Sequence, residues 1–236
     1  MQTGFQLLPS ISRSIDGIPL NPELEIVFLS KFKSLATPYI DFLLTPLLPN
    51  GVEAYWSWLF QMQHYGVPTR LLDWSRDALV ALYFATNPED RSLTPGIDAA
   101  VWVLNPVTLN KAYNFNEFTQ AGYIPNVEEA GFNAIFGPDS LPLSNPKPAA
   151  AIGPLNSTRI VAQRGVFTVF PHQKNLIPME QFSDSSTFLV KICIASENFD
   201  EIQAQLQRYG ITRIVLFPEL QSIAGEITRQ VIAERT

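Results

Sequence analysis

Gln63-His64-Tyr65-Gly66-Val67-Pro68-Thr69-Arg70-Leu71-Leu72-Asp73-Trp74-Ser75 holds a helix stop, an extended run and a helix start in one short segment. Upstream, Gly51 to Tyr65 carries apolar residues at Ala54, Trp58, Phe60, Met62 and Tyr65. That pattern predicts a helix closed by Gly66, with Pro68 just beyond. Thr69 to Trp74 reads as extended. Ser75 can cap a helix from Arg76 to Ala85, whose body Ala78-Leu79-Val80-Ala81-Leu82-Tyr83-Phe84-Ala85 is apolar on every side. Such a helix belongs in the middle of a fold.

Working outward, Asn21 is placed to cap a helix over Pro22 to Ala36, with Leu24, Val27, Phe28, Phe32 and Leu35 as its apolar positions. Downstream, Ala99 to Leu104, Arg159 to Ala162, Val166 to Phe170 and Phe188 to Ile194 read as strands, being rich in β-branched and aromatic residues. Ala112 to Pro154 is punctuated by proline and glycine, with a short helix expected near Val127 to Phe136; it reads as an insertion or a lid at 112–154. Ser196 caps a helix ending at Gly210, Arg213 to Phe217 reads as a strand, and a last helix runs from Glu219 to about Glu234. Helices come first, then strands, then a late strand–helix unit. This order predicts a single α+β domain over 1–236, with N-terminal helices, a mixed or antiparallel sheet and a C-terminal strand–helix unit.

The chain has 236 residues, 46% hydrophobic and only 16% charged, enough apolar material for a substantial core. Net charge is -6, and its 16 Lys and Arg are scattered, which argues against nucleic-acid binding. Cys193, the single cysteine, sits in an apolar run and reads as a small buried hydrophobe. His64 and His172 are too few for a Cys/His metal site, so no metal is expected. The N-terminus lacks a secretion pattern and no apolar run is long enough to span a membrane, which leaves the cytoplasm as the expected location. Walker loops, Gly-x-Gly-x-x-Gly, Gly-x-Ser-x-Gly and His-Glu-x-x-His are all missing from the sequence.

The polar groups of the central segment are the candidate site. Arg70, His64 and Asp73 are candidate catalytic residues, since a helix N-terminus with an arginine nearby suits an anion such as a diphosphate. The competing reading makes Arg70 and Asp73 a staple that ties the loop to the core, with His64 an interior hydrogen-bonder.

The run from Gln63 to Ser75, continuing to Ala81-Leu82-Tyr83-Phe84-Ala85, resembles the core of the FRG domain family. Leu8-Pro9-Ser10-Ile11-Ser12-Arg13 is similar to that family's early Leu-x-Pro-Ser-x-x-Arg segment. Arg159-Ile160-Val161-Ala162-Gln163-Arg164-Gly165-Val166-Phe167 is similar to its Arg-x-x-x-Gln-x-Gly-x-Phe element, and Leu216-Phe217-Pro218-Glu219-Leu220 to its closing strand. The family's Phe-Arg-Gly motif, expected shortly before the Pro-Ser segment, has only Met1-Gln2-Thr3-Gly4-Phe5 in its place. Either the motif lies upstream in a longer protein or this copy has lost it; if its arginine is catalytic, the chain as it stands is inactive.

Three readings of the function stand beside one another, the first resting on analogy through the resemblance. The first is an NAD-dependent ADP-ribosyltransferase-like domain, with NAD as substrate. In it His64 or Arg70 grips phosphate or ribose, Tyr65 or Tyr83 stacks, and Gln163 stands where a glutamate would orient the acceptor. A glutamine carries no charge, so it cannot serve as a base or stabilise an oxocarbenium ion as a carboxylate does. The second is a non-catalytic module that binds a nucleotide-like ligand or a protein partner, within a defence or toxin system. The third is other chemistry, a nuclease or hydrolase with His64 and Asp73 as its pair. The ligand-binding set is Arg13, Tyr65, Thr69, Tyr83, Arg159 and Gln163. Arg13, Arg70, Asp73, Arg159 and Gln163 are expected to converge with His64 on one cavity.

Overall fold

The computed structural model describes residues 6–15, 17–39, 52–87, 96–112, 122–138, 140, 147–154 and 157–233. In chain order the elements are β1 (Ser14–Ile15), β2 (Ile18–Pro19), α1 (Glu25–Ala36), α2 (Val52–His64), β3 (Leu71–Ser75), α3 (Ala78–Thr86), β4 (Ala99–Leu104) and α4 (Pro106–Ala112). They continue with α5 (Ala130–Phe136), β5 (Ala149–Ala151), α6 (Thr158–Ala162), β6 (Gly165–Val169), β7 (Leu189–Ile194), α7 (Phe199–Arg208), α8 (Arg213–Leu216) and α9 (Leu220–Ala233). Short 3-10 turns join several of them. The fold is α+β, as the order of sequence patterns predicts. β1 pairs with β2, β6 lies between β3 and β5, and β4 pairs with β7. β5 and β6 run antiparallel, with Ala149 opposite Val169 and Ala151 opposite Phe167.

The chain divides into two compact units. Unit 1 comprises Met1–Asp73, Leu104–Asn156 and Val166–Leu189; unit 2 comprises Trp74–Val103, Ser157–Gly165 and Val190–Thr236.

The core of unit 1 is built on α2. Trp56, Leu59, Phe60 and Met62 are essentially inaccessible, and the Phe60 ring meets Phe167 edge-on at 4.5 Å between centroids. Gly153 sits directly against the Phe60 ring, where a Cβ would collide with it, so the chain needs glycine at this close approach. Gly66 ends α2 with φ +75°, the left-handed conformation expected of a helix-stop glycine. Tyr65, assigned from spacing to the apolar face of that helix, lies beyond the helix end and is 69% exposed. In α1, Val27 and Leu35 are likewise exposed, and the helix buries Glu25 and Leu29 instead. The Asn21 side chain does accept from the Glu23 N–H, so the helix entry is capped as expected.

The stretch 112–154 contributes core residues to unit 1. Val127, Phe132 and Phe136 are buried, and β5 is buried along its length. The Asn110 side chain donates to the Ala150 carbonyl at 3.0 Å and accepts from its N–H at 2.8 Å. That exchange satisfies a strand edge that would otherwise be buried without partners. Residues 113–121, 139 and 141–146 of this stretch lie outside the described set.

In unit 2, α3 packs with α7 around Val80, Tyr83, Leu206 and Leu216. Gln203 Nε2 donates to the Tyr83 carbonyl and to Thr86 Oγ1, fastening the two helices. Three expectations need correction here. Asp77, not Ser75, caps α3, its carboxylate accepting from the Leu79 N–H at 2.9 Å. The helix is not enclosed on every side, because Leu79 and Phe84 are more than a third exposed. The segments 159–162 and 213–217, read as strands for their Ile-Val content, are short helices, α6 and α8. Ser157 accepts from the Arg159 N–H and starts α6, a local capping bond that outweighs weak β-propensity in so short a run. Cys193 lies in a strand as predicted but is exposed.

Candidate functional site

Arg70 lies immediately before β3 and is 0% exposed. Its backbone N–H donates to Glu25 Oε1 and its Nε to Glu25 Oε2, both at 2.9 Å. Nη1 donates to the Phe170 carbonyl at 3.1 Å. Nη2 donates to the Tyr55 hydroxyl at 2.9 Å and to the Phe136 carbonyl. The Tyr55 hydroxyl in turn donates to Glu25 Oε2 at 2.9 Å. The guanidinium also lies over the Trp56 ring, 5.3 Å from its centroid. A buried charge is tolerable only when paired and hydrogen-bonded. Arg70 meets that condition with one carboxylate, one phenol and two carbonyls drawn from four places in the sequence. The staple expected between Arg70 and Asp73 is replaced by this Arg70–Glu25 pair.

His172 forms the rim of the network. Its Nε2 is 3.4 Å from the Tyr55 hydroxyl and 3.5 Å from Glu25 Oε2, and the side chain is 28% exposed. Burial, reinforced by the neighbouring Arg70 charge and only partly opposed by Glu25 and a backbone hydrogen bond to Pro22, lowers its pKa to about 4. His172 is therefore neutral in the fold at pH 7, and its approach to Glu25 is no ion pair at that pH. Burial also pushes the Tyr55 phenol well above its usual range. An unfolded chain would titrate His172 near 6.5. As pH falls from about 6.5 to about 4, the unfolded state binds the proton that the folded state refuses, so stability falls across that window. The expected loss is roughly 2 kcal/mol by pH 5 and about 3 kcal/mol at the lower end of the window. Urea unfolding of wild type and His172→Gln at pH 7 and pH 5 isolates this from general carboxylate titration. Parallel losses in the two proteins would show that His172 contributes nothing.

The remaining candidates of unit 1 lie nearer the surface. Thr69 is buried; its hydroxyl donates to Gln63 Oε1 and accepts from the Leu71 N–H. Its backbone N–H donates to Ser10 Oγ, and its carbonyl accepts from Ser10 Oγ and the Ile11 N–H. Thus the Pro-Ser-x-Ser-Arg segment is seated against Thr69. Gln63 Nε2 donates to Asp73 Oδ2 at 2.5 Å. Asp73 is exposed and also faces Arg13, whose pKa is lowered by burial and held up in part by that carboxylate. Arg13 Nε and Nη2 both donate to the Leu8 carbonyl. His64 is half-buried and meets the exposed Tyr65 ring edge-on at 4.7 Å.

Tyr83, Arg159 and Gln163 belong to unit 2. Tyr83 is 6% exposed in its core. Arg159 stacks on Phe217, and Gln163 Nε2 donates to the Leu216 carbonyl at 3.1 Å. Sequence reading missed Glu25, Tyr55 and His172 as partners of Arg70. The one available signal was a glutamate in the first turn of an otherwise apolar-faced helix.

Fold and site define an α+β protein organised around a buried arginine–glutamate–tyrosine network, with an exposed polar edge beside it. The model of the FRG domain family matches residues 1–93, which contain the segment from Gln63 to Ser75. No curated protein and no solved structure matches the chain. Among the described residues, no helix is long and apolar enough to cross a membrane.

Proposed function

We propose that the FRG domain of this chain is a binding module for a nucleotide-like ligand, without transfer chemistry at Arg70. The commitment of Arg70 supports this reading. A residue that grips a dinucleotide must turn N–H donors toward the ligand, whereas Arg70 is enclosed and bonded to Glu25, Tyr55, Phe136 and Phe170. ADP-ribosyl transfer would also need a carboxylate at the reacting sugar. Gln163 cannot supply the charge, and Glu25 is tied to Arg70. Arg13, Asp73 and Tyr65 remain exposed on unit 1. They are a cation, an acceptor and an aromatic ring, the group types that hold phosphate, ribose hydroxyl and base.

Calorimetric titration of the full chain with NAD, ADP-ribose and ATP, run beside a nicotinamide-release assay, tests the proposal. Saturable binding of at least one ligand is expected, with no nicotinamide release. Arg13→Gln should weaken it about tenfold, the scale of one charge-assisted hydrogen bond. Nicotinamide release abolished by His64→Ala would replace the proposal with the ADP-ribosyltransferase-like reading. Failure of all three ligands to bind at millimolar concentration would sink the nucleotide reading and leave a protein partner as the target.

A further inference from the structure

Unit 2 holds two arginines at a fixed junction. Arg76 lies between β3 and α3, and Arg164 between α6 and β6. The Arg76 backbone N–H donates to the Arg164 carbonyl at 3.1 Å. That bond puts their α-carbons no more than about 7 Å apart, so the two side chains can reach a common point. Beside it, Ser75 Oγ donates to the Gln163 carbonyl at 2.8 Å and accepts from the Asp77 N–H at 3.0 Å. The junction is thus locked from both segments. Arg164 holds φ +50°, a left-handed conformation that glycine and asparagine take far more readily. Arg76 is exposed, and among the described residues its side chain has no partner. Arg164 is 65% exposed, with Nη1 3.6 Å from Asp77 Oδ2. Asp77 Oδ1 is already used to cap α3. One divided carboxylate therefore faces two guanidinium groups, a local positive excess in a chain whose net charge is -6.

We propose that Arg76 and Arg164 form a binding site for a phosphate dianion, free or carried by a small molecule. Like charges on neighbouring positions of paired segments destabilise each other. A left-handed arginine adds strain. Neither feature serves the fold. The backbone bond and the Ser75 bridge do not depend on the side chain at 76, and glycine would suit 164 better. A dianion between the two side chains reverses the repulsion, because each guanidinium presents paired N–H donors that match phosphate oxygens. A phosphate monoester is close to doubly charged at pH 7, which suits two arginines better than a single carboxylate does. Asp77 competes for Arg164 when the anion is away. The inference does not rest on the reading of the unit 1 surface and would stand if that surface took no nucleotide.

Inorganic phosphate and AMP are the probes, titrated into the full chain by calorimetry at constant ionic strength so that screening stays fixed. Saturable binding of phosphate is expected. Arg76→Gln and Arg164→Gln should each weaken it about tenfold. Arg164→Gly should weaken it as much yet melt no lower than wild type, because the strain leaves with the side chain. Asp77→Asn keeps the helix cap and removes the competing charge, so phosphate should bind severalfold tighter. Arg208→Gln, at an exposed position ending α7, removes an equal charge and should change binding less than about twofold. AMP that binds more tightly than phosphate, and is weakened equally by Arg76→Gln, identifies a nucleotide as the source of the phosphate. AMP no tighter than phosphate identifies the free anion. No saturable phosphate binding at millimolar concentration, or undiminished binding when both arginines are glutamine, overturns the proposal. Weakening by Arg13→Gln but not by Arg76→Gln overturns it too, by placing the phosphate on unit 1.

Discussion

Arg70→Met is expected to cost about 3–5 kcal/mol of unfolding free energy, the range for removing one member of a buried ion pair. A protein of this size has only about 5–15 kcal/mol in total, so the variant should melt roughly 6–20 °C lower. Three losses add. Glu25 is left charged or forced to take a proton, and the Phe136 and Phe170 carbonyls lose their donors. Arg70→Lys should also be strongly destabilised, since one ammonium cannot span Glu25, Tyr55 and two carbonyls. The double variant Glu25→Gln with Arg70→Met should recover part of the loss. It removes the stranded charge and keeps an oxygen for the Arg70 backbone N–H. Urea unfolding followed by circular dichroism measures all three. Near-wild-type stability of Arg70→Met with loss of ligand binding would return Arg70 to the functional residues.

Trp56→Ala should fall in the same range, about 3–5 kcal/mol. The indole is inaccessible, packs edge-on against Tyr55 at 5.2 Å and lies 5.9 Å from Phe132. Its Nε1–H donates to Asn133 Oδ1 at 2.6 Å. Trp56→Phe separates the two contributions. It keeps most of the apolar volume, loses the donor and should cost about 1–3 kcal/mol. Equal losses in the two variants would mean that the hydrogen bond to Asn133, rather than packing, carries the effect.

The sequence read well where a local rule decides. Gly66 stops α2, Asn21 caps the first helix, and the apolar run of 189–194 is a strand, because each depends on neighbours in the chain. It read poorly where a distant partner decides. Arg70 and Asp73 look like a pair three residues apart, but in extended chain an odd separation puts side chains on opposite faces. Arg70 accordingly turns inward to Glu25, 45 residues earlier, while Asp73 stays at the surface with Gln63. Ile160-Val161 and Ile214-Val215 suggested strands, yet each segment is too short for side-chain preference to outweigh capping and packing. His172 could not be picked out at all. Nothing in its own neighbourhood announces Tyr55 or Glu25.

The two units are threaded through one another in sequence, and this bears on synthesis. Unit 1 begins with Met1–Asp73 but takes its last piece from Val166–Leu189, after the chain has twice supplied unit 2. A nascent chain emerging from the ribosome therefore presents Arg70 with Glu25 and Tyr55 well before the Phe136 and Phe170 carbonyls exist. Its contacts have high sequence separation, the condition that slows folding and prolongs exposure of apolar surface. The stretch that matches the FRG family ends at residue 93, but the elements that complete its arginine do not. In vectorial folding, the family signature is translated early and becomes a finished structure late.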